Sequence, residues 1–123
     1  MDTDVIIRYM KGNQKAYKTI ENSKHFSISI VTYMELVQGM RDKNELNNLR
    51  RALNAWEAEI LYISEEISVK AMFFVEQHFL SNSINLADAL ISATAISHGL
   101  PIITGNDKYY KILKDLQIKE FQP

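Results

Sequence analysis

The most specific chemistry in this sequence is carried by acidic side chains. Asp2 and Asp4 open the chain in Asp2-Thr3-Asp4-Val5, Glu35 stands between Met34 and Leu36-Val37, Asp88 lies in Leu86-Ala87-Asp88-Ala89-Leu90-Ile91, and Asp107 follows Thr104-Gly105-Asn106. The run around Asp88 stays nearly all apolar through Ile96, which marks a helix bound for the interior. A bare carboxylate there costs several kcal/mol unless it is paired or holds a cation. Glu35 has similarly apolar neighbours. Acids on separate buried elements cannot neutralise one another, so together they call for a divalent metal, and carboxylate oxygens suit Mg²⁺ or Mn²⁺. Each acid also has an ordinary structural role open to it. Asp2 and Asp4 favour a helix N-terminus, Asn85 and Asp88 are spaced like a capping box, Glu35 can face solvent, and Asp107 can be a first-turn acid.

The elements that must position these acids are short, and turn residues separate them. Asp4 to Met10 reads as a helix stopped by Gly12-Asn13, and Gln14 to Glu21 as a second helix. Phe26 to Val31 alternates with period two and predicts a strand, followed by a helix from Thr32 to Met40. Asn44 to Trp56 carries an apolar stripe at Leu46, Leu49, Leu53 and Trp56. Ile60 to Ile63 is a short strand, and Ser64 caps a helix running to about Leu80. Asn85 caps a helix from Leu86 to His98, with Gly99 at its C′ position and Pro101 beyond. Pro101 to Thr104 is another strand, Asn106 caps Asp107 to Leu113, and Ile118 to Phe121 closes the sequence as a strand. Strands separated by helices predict parallel pairing, hence an α/β fold: a three-layer α/β/α sandwich whose central sheet is mostly parallel. In such sheets the site lies beyond the carboxyl ends of the strands.

Composition narrows the class further. The 123 residues are 46% hydrophobic and 24% charged, which suits a single domain over residues 1–123. Fourteen basic and 15 acidic residues leave a formal net charge of −1, which excludes a polybasic coat or an acidic tail. Residues 1–51 hold nine basic and six acidic residues, for +3, whereas 52–123 hold five and nine, for −4. That asymmetry fits a basic rim beside an acidic pocket, or two solvated faces. Lys15, Lys18, Lys24, Arg41, Lys43, Arg50 and Arg51 are the rim candidates. Zero cysteines exclude disulfides, thiolate chemistry and Cys-ligated zinc or iron–sulfur sites. There is no apolar run of bilayer-spanning length and no basic region ahead of an apolar one at the start, so the reading is cytoplasmic, with no membrane. His25, His78 and His98 share no motif and are assigned no catalytic role.

Four segments together resemble the successive motifs of PIN-domain ribonucleases, and more narrowly the VapC-type toxins of toxin–antitoxin pairs. They are Asp2-Thr3-Asp4-Val5-Ile6-Ile7, Thr32-Tyr33-Met34-Glu35-Leu36-Val37-Gln38-Gly39, Leu86 to Ala95, and Ile103-Thr104-Gly105-Asn106-Asp107. The resemblance implies that Asp2, Glu35, Asp88 and Asp107 are the catalytic, metal-binding quartet for Mg²⁺ or Mn²⁺, with Asp4, Thr104 and Asn106 in support. It implies hydrolysis of RNA phosphodiesters by activated water, on a structured substrate such as tRNA or rRNA. It also implies a cognate antitoxin and a homodimer. Met72, Phe73, Phe74 and Phe79 are the residues that either pack the core or form such a face. Only Met1 precedes Asp2, where the resemblance implies an apolar strand of several residues. The central strand is therefore expected as a stub, unless the natural start lies upstream.

Two other functions fit part of the pattern. Asp2-Thr3-Asp4-Val5 and Gly105-Asn106-Asp107 are similar to the ends of an aspartyl-nucleophile phosphatase of the haloacid-dehalogenase type. Against it, Ile6 stands where such enzymes carry Thr or Val, and no Ser/Thr or Lys motif links the two ends. A catalytically silent module with the same fold is the second, and its mark would be a missing acid.

Overall fold

Capping accounts for where most of the helices begin and end. The computed structural model describes residues 1–23, 25–80, 84–104 and 118–120. Helix α1 (Thr3–Met10) starts at Asp2, whose side chain accepts from the Thr3 N–H, and buries Val5 and Ile6. It ends in a Schellman motif. Gly12, at φ +85°, donates its N–H to the Tyr9 carbonyl and Asn13 donates to the Arg8 carbonyl. Asn13 then caps α2 (Gln14–Asn22) by accepting from the Ala16 N–H, which makes a tight helical hairpin.

Strand β1 (Ser27–Ser29) is shorter than the alternation predicts, because the Ser29 hydroxyl accepts from the Val31 N–H at 3.0 Å and starts helix α3 (Ile30–Gln38) there. Helix α4 (Lys43–Ala55) is capped by Asp42, and β2 (Glu59–Leu61) follows. Ser64 caps α5 (Glu65–His78) and Asn85 caps α6 (Leu86–Ser97). Gly99, at φ +64°, closes α6 through N–H donation to the Ile96 carbonyl. Strands β3 (Ile102–Thr104) and β4 (Ile118–Glu120) complete the described elements. The expected helix over 107–113 lies outside the described residues, as does Phe121.

Both strand pairs are parallel: β1 with β2, Ile28 opposite Ile60, and β3 with β4, Ile103 opposite Lys119. The first two residues join them. The Met1 ammonium donates to the Ser27 carbonyl at 2.9 Å, and the Asp2 N–H donates to the Ile103 carbonyl at 2.9 Å. This two-residue stub thus bridges the two separate pairs, β1–β2 and β3–β4, with one hydrogen bond to each. Beside it lies an apolar cavity of about 140 Å³ lined by Met1, Ile28, Ile91, Ala95, Ile102 and Ile103 among others.

Side-chain alternation along β3 separates two hydrophobic cores, since successive strand residues point to opposite faces. Ile102 is buried with Ile67, Ala71, Ala89, Ile91 and Ala93 of α5 and α6. Ile103 packs on the opposite cluster, where Val5, Ile6, Ile20, Leu49, Leu53 and Trp56 come from α1, α2 and α4 with its flank. Helix α3 serves both, with Val31 in the first core and Leu36 in the second. The predicted α/β/α layering is observed. Among the described residues, no helix is long and apolar enough to cross a membrane.

Candidate functional site

Asp2 and Asp4 meet Thr104 at the carboxyl end of β3. Thr104 is the last residue of β3, and Asp2 ends the stub beside it. The fully buried Thr104 hydroxyl donates to Asp2 Oδ2 at 2.9 Å and lies 3.4 Å from Asp4 Oδ1. The other Asp2 oxygen accepts from the Thr3 N–H at 2.8 Å. Asp2 is only 8% exposed, so these donors replace water around its charge. Across the gap between α1 and α3, the Thr3 hydroxyl donates to Glu35 Oε1 at 2.8 Å. Two threonines thus tie three carboxylates from two helices into one cluster.

Asp88 stands in the first turn of α6, and its backbone N–H donates to Asn85 Oδ1 at 2.8 Å. The capping role is real. Helix α6 leads through residues 98–101 into the amino end of β3, and the hydrogen bonds through Thr3 and Thr104 that link Asp2, Asp4 and Glu35 do not include Asp88. Two expectations of burial need correction. Asp88 is half-buried, because the first turn of α6 emerges from the core (Leu86 is 71% exposed) and full burial begins at Ala89. Glu35 is exposed, because α3 turns it away from Leu36, the side chain that enters the core. The acid the fold buries is Asp2. Asp107 and Asn106 lie outside the described residues. Among the described residues, no three acids or histidines converge closely enough to cage an ion.

The Met1 ammonium beside Asp2 is lowered to about 6 by burial, with the Asp2 charge opposing the shift. Farther off, Arg41 lends its backbone N–H and then its guanidinium to Glu45, which holds that carboxyl below its usual range. Arg41 is therefore committed to the start of α4. Lys15, Lys18, Lys43, Arg50 and Arg51 lie at the surface, as a basic rim requires, while Lys24 lies outside the described residues. His25 pairs with Glu57 at 2.7 Å, at the surface. Thr3 is the residue the site reading passed over. Its signal is its place between two acids, where one side chain can reach the neighbouring helix while its backbone serves Asp2.

Fold, strand-end acids and motif order together define the class. A family model described as PIN domain matches residues 1–114, and the chain belongs to that family. It is 30% identical over 122 residues to a Methanocaldococcus jannaschii protein named Ribonuclease VapC1, covering 97% of this chain and 83% of that protein. Its fold superposes with a TM-score of 0.78 on a chain of a toxin–antitoxin complex from Klebsiella pneumoniae, at 28% identity over 94% of this chain and 92% of that one. VapBC-1 from nontypeable Haemophilus influenzae shares the fold at a TM-score of 0.82 and 21% identity, over 99% of this chain and 96% of that one. Family membership decides against the phosphatase reading.

Proposed function

We propose that this PIN-domain chain is a divalent-metal-dependent ribonuclease and the toxin of a toxin–antitoxin pair. The observation that carries this is the cluster of Asp2, Asp4 and Glu35, tied by Thr3 and Thr104 at the carboxyl end of β3. Its donors are all oxygen and mostly anionic, which suits Mg²⁺ or Mn²⁺ and not a soft metal. Asp2, Glu35, Asp88 and Asp107 would hold the ion, with Asp4, Thr104 and Asn106 supporting them. When bound, such an ion acidifies water and offsets the charge that builds on the phosphate during attack. The chain's part is to hold its acids in place. Thr104 and the Thr3 N–H fix the two oxygens of Asp2, and the Thr3 hydroxyl aims Glu35 from the neighbouring helix. The basic residues of the first half supply a rim that draws the RNA backbone toward the acids.

As partners we propose a cognate antitoxin and a second copy of this chain. The chain's fold neighbour from Klebsiella pneumoniae, at 28% identity, is itself part of a toxin–antitoxin complex. The carboxylate cluster suits an inhibitory Arg or Lys from the antitoxin. Of the four apolar side chains assigned to core or partner face, Phe74 packs in the core, whereas Met72, Phe73 and Phe79 are exposed and offer a contact surface.

The test is cleavage of total cellular RNA by the purified chain with Mg²⁺ or Mn²⁺, and again in excess EDTA. We expect cleavage that EDTA abolishes and that Asp2→Asn reduces by orders of magnitude. Full cleavage in EDTA, or by Asp2→Asn, overturns the reading.

A further inference from the structure

Between Asp4 near the start of α1 and Glu21 near the end of α2, the hairpin gathers cations and aromatic rings. From residue 5 to residue 20 the chain carries Arg8, Lys11, Lys15 and Lys18 and neither Asp nor Glu. The turn through Gly12 and Asn13 brings Tyr17 of α2 back over Tyr9 of α1. Their rings are stacked, with centroids 5.8 Å apart and planes 10° from parallel. On its other side Tyr9 meets Trp56 edge-on, at 4.9 Å and 88°. The rings thus form a series leading out of the core. Trp56 is buried, Tyr9 is half-buried, and Tyr17 is 52% exposed. The inner rings hold the outer one in a fixed orientation, which lowers the entropy cost of stacking something upon it. An open pocket of about 350 Å³ lies between Tyr9, Met10, Gly12, Asn13, Gln14 and Tyr17.

Packing alone does not account for this surface, since an exposed aromatic within a run of cations buries little and repels nothing anionic. Rings flanked by cations are how proteins hold unpaired bases: the base stacks on the ring while Lys and Arg meet its phosphates. The site lies at the far end of α1 from Asp2, and the eight residues of that helix place it about 12 Å from the acidic cluster.

We propose that the α1–α2 hairpin is a base-stacking subsite for a single-stranded stretch of the RNA substrate. An unpaired base stacks on Tyr17 at the mouth of the pocket, the Gln14 amide at the rim offers hydrogen bonds to its edge, and Arg8, Lys11 and Lys18 draw the flanking phosphates. The proposal rests on the reading of the chain as a ribonuclease and adds a requirement for an unpaired nucleotide near the cleavage site.

The test compares the full chain with Tyr17→Ala and Tyr17→Phe. The probes are a fluorescein-labelled single-stranded RNA oligonucleotide and the same sequence closed into a duplex. Losing a stacked base weakens binding by about 5- to 150-fold, and this is the loss expected for Tyr17→Ala on the single strand. Tyr17→Phe keeps the ring and stays within about twofold of the parent, and Tyr17→Ala leaves duplex binding unchanged. In Asp2→Asn protein, 4-thiouridine placed in the oligonucleotide crosslinks to the hairpin. Thermal melts of both variants verify that they are folded, as the exposure of Tyr17 predicts. If the parent cleaves RNA while Tyr17→Ala binds the single strand as the parent does, or crosslinks fall outside the hairpin, the subsite is wrong and the ribonuclease reading stands. If the parent neither cleaves nor binds RNA, both fall. Loss of antitoxin binding by Tyr17→Ala with RNA binding intact also overturns the proposal.

Discussion

Replacing Thr104 by valine isolates the hydroxyl at the centre of the site. Valine keeps the branched shape, so packing around this fully buried position is preserved and the change removes one donor. That donor serves Asp2 Oδ2 at 2.9 Å and, at 3.4 Å, Asp4 Oδ1. A hydrogen bond to a charged group contributes about 1.5–3 kcal/mol, and Asp2, 8% exposed, has little access to replacement water. For a chain of 123 residues, unfolding entropy of about 2.1 cal/mol/K per residue converts this to a Tm lowered by about 6–12 °C. Thr104→Ser keeps the hydroxyl and loses one methyl, worth about 1 kcal/mol, so it melts about 4 °C below the parent. Circular dichroism melts in EDTA read both, with the expected order parent, serine, valine. RNA cleavage follows the hydroxyl rather than the methyl: valine lowers it by about 10- to 100-fold, as loss of a group that orients a ligand does, and serine retains most of it. A valine variant that melts with the parent, or a serine variant that melts as low as valine, refutes the assignment of Thr104 as the donor that stabilises Asp2.

Two further outcomes follow from other parts of the chain. Asp88→Asn changes stability by no more than about 1 kcal/mol, because asparagine has nearly the same shape, still accepts hydrogen bonds, and keeps the backbone N–H that donates to the Asn85 cap; RNA cleavage nevertheless falls by orders of magnitude, and intact cleavage or an unfolded variant refutes the role. Gly12→Ala costs about 1 kcal/mol in urea unfolding, because φ is +85° there and the added Cβ meets nothing within 4 Å, so the penalty is conformational; an unchanged midpoint refutes it.

The helix boundaries were legible where one side chain decides them. Ser64 and Asn85 cap helices as expected, Asn13, read only as a stop, also caps α2, and Gly12 and Gly99 occupy left-handed positions that close α1 and α6. The overrun lies at β1. Period-two alternation continues through Ile30 and Val31, yet the Ser29 hydroxyl caps the next helix and ends the strand. A serine inside an alternating run reads equally as a strand residue or as a cap, and only the packing of the following helix chooses between them. The sheet centre was legible only as a shortage of residues. How Met1 and Asp2 bridge β1 and β3 depends on contacts between elements distant in sequence.

At the site, residue identities were easier to read than their surroundings. Asp88 sits in an apolar run, but a helix buried along most of its length can still surface at its first turn, and average hydrophobicity does not see that. Glu35 has apolar neighbours in sequence, but successive residues of a helix point about 100° apart, so Met34 and Glu35 can face solvent while Leu36 enters the core. The cost of burying an anion therefore falls on Asp2, the acid with the least obvious sequence context, sheltered by β3 rather than by its own helix. Asp2 meets that cost with the Thr3 N–H and the Thr104 hydroxyl. Desolvation of a lone carboxylate is thus no longer the reason to infer a cation. The proposed ion rests instead on donor chemistry: Thr3 and Thr104 link Asp2, Asp4 and Glu35 through hydrogen bonds, and carboxylate and hydroxyl oxygens are the donors that Mg²⁺ or Mn²⁺ takes.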